Sequence, residues 1–423
     1  MKTEEKKALV FAGGGSKGAY QIGAWKALRE LKEEFQIATG TSIGSINAAL
    51  YVQQDFDEAF EMWNNLRVDS IMTNGINLEK SVESILSQRE QFRPFIKNFI
   101  NQRGADVTPF HGKLKEYFNA DKFFSSDIDF ALVTVKYPSF SPYEVYKRDM
   151  KELGWDAWKW LAASGACYPV FPVMNVNGED YVDGGYFDNI PVAPAFKLGA
   201  SEAVVIDLKP DKNHEGYIHH PRIKYIKPSR DLGTFLNFEQ EALRFSIGLG
   251  YNDTMKAYGK YLGTQYTFLP DESIKNRLVI LAGKFIDLLT LSEARFDFSG
   301  NVRGRQRVNN LEGCTTLLSA SLGVYRPSEV QLFIAALEAF MAVCSYDLNE
   351  DYSLYELLFA LKNEVDGMYP LLEYDTETAF SEVRKFVQTH SEGKNPEQKK
   401  LEDDRMMLIY TSFIRALQHI DNI

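Results

Sequence analysis

The spacing of hydrophobic positions changes near residue 270, and a different architecture is expected on each side of that point. Before it, short apolar runs alternate with helically spaced segments. Residues 9–12 have the length and apolar character of a buried parallel strand. Over residues 18–34, Ile22, Trp25, Leu28 and Leu31 then recur at helical intervals. A second short strand is predicted at 36–39 and a helix at 45–53. Further on, 113–119 reads as helix behind Pro109, 128–136 (IDFALVTVK) and 143–147 as strands, and 155–166 as helix. A strand end follows at 181–182, a buried strand at 203–208, a strand at 223–228 and a long helix at 239–262. Strand, helix, strand, helix in the opening stretch predicts an α/β sheet.

From about residue 271 the apolar spacing is helical in every segment, for example 278–291, 330–344, 354–365 and 408–420, and strand signals disappear. Two domains are therefore expected, 1–270 and an all-α domain at 271–423 whose role the pattern does not give. The charged stretch 391–404 reads as a surface loop or linker. Residues 55–101 are helix-like and aromatic, with Phe92, Phe95 and Phe99 on one face. Core packing and a lipid-facing stripe both fit that face.

A length of 423 residues supports the two-domain expectation, since single cores stop growing well before that size. The formal net charge of -11 argues against nucleic acid as a partner, because a grip on phosphate backbones needs a basic surface. Three cysteines, Cys167, Cys314 and Cys344, are an odd number and fit a reducing compartment. The opening MKTEEKK mixes acids with bases and precedes only five apolar residues, too few for a signal-peptide core. The apolar stretch 330–344 contains Glu338 and falls short of the roughly 20 residues that span a bilayer. A cytoplasmic protein is expected, with any membrane contact peripheral.

Three local motifs carry chemistry. GTSIG, residues 40–44, places Ser42 between Gly40 and Gly44 in the G-x-S-x-G pattern of a nucleophile elbow, after an apolar strand and before a helix. The same junction also suits Ser42 as a helix N-cap. GGGSKG, residues 13–18, sets Gly13, Gly14, Gly15 and Gly18 between a strand and a helix, leaving backbone N–H groups unshielded as an anion nest. A Walker A loop is excluded, since Ala19 and Tyr20 stand where Lys and Ser/Thr are needed. A dinucleotide fingerprint fits the glycine spacing but lacks its acid at the end of the second strand. The remaining use is an oxyanion hole made by Gly14 and Gly15, with Gly13 beside them. Lys17 steadies the loop, attracts an anionic head group or is simply a solvated lysine at the start of the helix.

YVDGG, residues 181–185, puts Asp183 at a strand end with Gly184 and Gly185 turning the chain away. Asp183 in that position reaches the sheet edge of Ser42 and serves either as proton acceptor or as an ordinary turn aspartate. To act as a base its carboxyl must lie above the usual value near ~3.9, which partial burial would supply. The six histidines, His111, His214, His219, His220, His390 and His419, show no positioned partner, and His214 and His219 are the ones to exclude as bases.

Taken together, GGGSKG, GTSIG and DGG, with the stretch 163–192 leading into and past the aspartate, resemble the patatin-like phospholipases over about residues 7–210. The resemblance implies a largely parallel sheet sandwiched by helices. It also implies ester hydrolysis on phospholipids or other acyl lipids, and no cofactor or metal. It makes Ser42 the nucleophile and Asp183 the base of a dyad without histidine, with the glycine loop as oxyanion hole. Ala12 departs from the family, many of whose members have an aspartate before the glycines. The helical domain is not covered. Two other classes stay open on the residues alone: a dinucleotide-binding protein using residues 13–18, and a catalytically inert interaction module.

Overall fold

The computed structural model describes residues 5–72, 105–210, 214–298, 313–324, 326–365, 375–391 and 403–420. Phe92, Phe95 and Phe99 therefore lie outside the described residues, as does most of the charged segment 391–404. The chain divides into two compact units, Met1–Ala257 and Tyr258–Ile423.

The first unit is built on an eight-stranded, largely parallel sheet with helices packed against it. Five strands lie side by side and parallel: β8 (Ile223–Ile226), β7 (Ala200–Ile206), β1 (Lys6–Phe11), β2 (Ile37–Thr41) and β3 (Asp129–Tyr137). Ala8, Leu9, Val10 and Phe11 of β1 are completely buried, as a central strand covered on both faces requires.

The far edge of the sheet brings the site together. Residues 131–133 of β3 pair with β2 on one side and with the antiparallel β4 (Ser141–Tyr146) on the other. β2 stops at Thr41, opposite Val133, and β6 (Glu179–Asp183) enters antiparallel on the side β2 has left, ending with Asp183 opposite Thr134. The ends of β2 and β6 thus meet beside adjacent residues of one strand. β6 is held in a hairpin with β5 (Met174–Val176), whose Asn177-Gly178 turn has φ of 53° and 86°. Positive φ at both turn residues is the type I′ pattern, and Asn-Gly is its sequence signal. β5 was not among the expected strands, and that dipeptide is where it could have been found.

Two helices carry the loops of interest. α1 (Ala19–Glu30) follows the glycine loop and packs on the helix Gln240–Ala257, while α2 (Ile43–Val52) follows Ser42. The second unit is helical around one core that includes Phe285, Phe333, Phe340 and Phe413. Contrary to the expected loss of strands, it also holds a short parallel pair, β9 (Thr267–Leu269) with β10 (Asp351–Ser353). At three residues each, such strands are too short to show an alternating pattern. Among the described residues, no helix is long and apolar enough to cross a membrane.

Candidate active site

Between β2 and α2 the backbone turns at Ser42 with φ 54° and ψ -130°. A non-glycine residue enters the positive-φ region only under strain, so neighbours must hold it there. The Ser42 N–H donates to Ser164 Oγ at 2.9 Å, and that hydroxyl donates in turn to the Val133 carbonyl at 2.7 Å. Close approach accounts for the flanking glycines. A Cβ on Gly40 would stand 2.2 Å from the Gly44 carbonyl oxygen, and one on Gly44 2.3 Å from that of Phe11. The Ser42 side chain makes no capping bond to α2, which removes the N-cap alternative. Its hydroxyl donates instead to Asp183 Oδ2 at 2.6 Å.

Asp183 is 7% exposed, and its other oxygen accepts the Gly185 N–H at 2.7 Å. Burial raises its pKa from 3.8 to about 6, while the bonds from Ser42 and Gly185 pull the other way. Thr39 and Thr41 tie the end of β2 to the chain beyond the aspartate, donating to the carbonyls of Pro191 and Asp188, each at 2.8 Å.

The glycine loop is fastened from both sides. Gly13 donates its N–H to the Asn189 carbonyl at 3.0 Å and accepts from Asn189 Nδ2 at 3.1 Å. Gly13, grouped with the oxyanion donors on sequence, is corrected here to an anchor, because its N–H is already engaged. Ser16 donates its N–H to the Phe235 carbonyl at 2.8 Å. Among the described residues, no carbonyl or side chain accepts from the N–H groups of Gly14 and Gly15. Gly15 has φ 60° and lies so near the Phe235 carbonyl oxygen that a Cβ would come within 2.1 Å of it. Behind the loop, Gln21 donates to the Ala12 carbonyl at 2.8 Å, and Asn47 on α2 donates to the Gly18 carbonyl at 3.0 Å. Trp63 donates to Asn47 at 3.0 Å, so loop and elbow share one buried network.

Loop, elbow and Asp183 open on a single cavity of about 480 Å³. Its walls are mainly apolar, among them Ile43, Ile46, Phe110, Phe171, Leu208 and Phe238, and its cations are Lys17 and Lys209. Among the described residues, no histidine lines it. His214 lies 3.9 Å from the buried Asp207, His219 is exposed, and His111 packs between Phe110 and Trp158. His220 lies with its ring tilted 6.3 Å from that of Phe196, and His390 and His419 belong to the second unit. Gly184, behind Asp183, lies so close to β3 that a Cβ would come within 2.1 Å of the Val133 carbonyl oxygen.

Several site residues had no motif to flag them. Ser164 sits in a run of small residues, ASGA, and Asn189 follows Asp188 in the run DNIP. Leu208 and Lys209 follow β7, which lies beside β1, and Phe235 comes to the cavity where its carbonyl accepts from Ser16.

Fold and cavity define the first unit as an α/β domain in which a glycine loop and a strained serine elbow share one apolar pocket at the sheet edge. Within that class, residues 9–196 match the family model for patatin-like phospholipase. Curated relatives include lysophospholipase NTE1 of Coccidioides immitis, 29% identical over 49% of this chain, and that of Yarrowia lipolytica, 27% identical over 47%. The chain spans only 12% of the length of either relative. Among solved structures, VipD from Legionella pneumophila aligns over 98% of this chain and 90% of its own, with 14% identity and a TM-score of 0.42.

Proposed function

We propose that the first unit is a serine acyl-ester hydrolase acting on lipids, with Ser42 as nucleophile and Asp183 as base. The observation that carries this reading is the 2.6 Å hydrogen bond from Ser42 Oγ to a buried carboxylate, on the wall of an apolar cavity. Ser42 attacks the ester carbonyl as its proton passes to Asp183. The resulting oxyanion is received by the Gly14 and Gly15 N–H groups. Collapse of the tetrahedral intermediate expels the alcohol, which takes the proton from Asp183 and leaves an acyl-serine. Water then attacks, losing its proton to Asp183, and collapse of the second tetrahedral intermediate breaks the acyl–Oγ bond, Ser42 taking that proton back as the fatty acid departs.

A carboxyl at about 6 is a far better proton acceptor near neutrality than an ordinary aspartate. Two free N–H groups suit one oxygen. They are a poor match for the pyrophosphate of a dinucleotide, since Asn189 and Phe235 occupy the neighbouring donors. Acyl lipids, including lysophospholipids like those named for the relatives, are the substrate class. The mostly apolar cavity of about 480 Å³ supports that choice.

A fluorophosphonate probe tests the reading. It should label the wild type at Ser42 and fail on Ser42→Ala, and a panel of lysophospholipids, phospholipids and neutral glycerides should then release fatty acid from at least one. Wild-type hydrolysis of a nitrophenyl ester that persists undiminished in Ser42→Ala would sink the dyad.

A further inference from the structure

Most large apolar side chains of the first unit are inside, yet Phe140, Tyr186 and Phe187 are 50%, 49% and 64% exposed. Tyr186 and Phe187 stand on the turn that leaves Asp183. Phe140, on the turn between β3 and β4, meets the Tyr186 ring edge-on at 6.1 Å. Behind it, Tyr137 packs on both Phe140 and Tyr168, at 5.9 and 5.4 Å, and the Tyr186 hydroxyl donates to the Tyr168 carbonyl. Tyr186 also lines the cavity of Ser42, so this aromatic patch and the pocket are one continuous surface. Phe140 and Tyr186 in ring contact, with Phe187 next along the chain, form an exposed aromatic cluster of the kind that marks an interaction site.

We infer that this rim docks on the surface of a phospholipid bilayer and passes acyl chains from it into the pocket. The inference rests on the hydrolase reading above. Two observations favour a bilayer over a protein partner. The first is continuity with the apolar pocket, which gives a lipid tail an unbroken path out of the membrane. The second is charge: on a chain of net charge -11, the charged groups lining the pocket among the described residues are Lys17, Lys209 and the internally bonded Asp183. Aromatic rings settle at the headgroup level, and lysines there are drawn to anionic lipid.

The test uses the full chain carrying Ser42→Ala, so that binding is read without hydrolysis, and vesicles of phosphatidylcholine with phosphatidylserine. The parent should co-sediment with the vesicles, and adding Phe140→Ala with Phe187→Ala should lower the partition coefficient by about ten-fold or more. With Ser42 restored, the double variant should hydrolyse nitrophenyl butyrate, a soluble ester, at the wild-type rate, which also shows that it folds. Phe187→Ala alone, the more exposed ring, should give part of the loss. Unchanged partitioning in the double variant, or a parent that does not partition, overturns the inference while leaving ester hydrolysis standing. A change in sedimentation coefficient without vesicles, with vesicle binding intact, assigns the rim to self-association instead.

Discussion

Both units of the molecule bury carboxylates, and one from each is equally hidden: Asp183 and Glu338 are both 7% exposed. Their surroundings differ. Glu338, on the helix Glu329–Val343, accepts from the N–H groups of Thr264, Gln265 and Tyr266 at 2.6 to 3.0 Å, and from the Thr264 hydroxyl. Backbone donors close around it, and the charge is used to hold one loop against one helix. Asp183 has a single backbone donor, Gly185, and its other oxygen meets a serine hydroxyl on a cavity wall. A carboxylate short of fixed donors in an apolar site holds its charge poorly, which makes it a proton acceptor. For this pair, burial does not separate one carboxylate from the other; the number and rigidity of the donors does.

That contrast breaks first at the dyad. Ser42→Ala and Asp183→Asn should each lower kcat/KM for a nitrophenyl ester by roughly four orders of magnitude or more, with far-UV circular dichroism unchanged. Glu338→Gln should leave that activity intact. If both carboxylate variants lose it equally, the distinction between them fails. Next comes Gly15→Ala, whose Cβ would meet the Phe235 carbonyl oxygen at 2.1 Å and displace one oxyanion donor. A fall of about 10² to 10³ in kcat, with little change in KM, is expected from stopped-flow or steady-state assays.

Stability should then separate the two carboxylates with opposite signs. Glu338→Gln replaces a charged acceptor under several backbone donors and should cost the second unit about 2 to 3 kcal/mol in chemical unfolding. Asp183→Asn should stabilise. Because the folded value of about 6 lies above the ordinary 3.8, the Asp183 carboxyl contributes its full stability below about pH 4 and loses it as pH rises through 6. The difference corresponds to about 3 kcal/mol above pH 6, so the variant's advantage in thermal melts should grow from pH 4 to pH 7 and then level off. Smallest is the pH profile of the wild type: kcat/KM should climb about ten-fold per pH unit up to a plateau beginning near 6. A profile flat from pH 5 to 8 would remove Asp183 from the base role.

Much of this protein was written into local pattern. The buried run of β1, the helical spacing of α1 and the change of period near residue 270 are set by neighbouring residues, and they announced an α/β unit followed by a helical one. The three glycine-bearing motifs were legible for the same reason: tight backbone turns need particular residues at particular offsets. Tertiary structure decided what no local window contains. β6 takes the edge of β3 that β2 gives up, and this alone sets Asp183 against Ser42 across 141 positions of chain. The carboxyl's raised pKa comes from burial by distant segments. The difference between Gly13 as anchor and Gly14 and Gly15 as free donors depends on Asn189, a partner 176 residues away. Ser164 and Lys209 joined the site through strand order, and strand order is set by the packing of the whole sheet rather than by the residues beside each one.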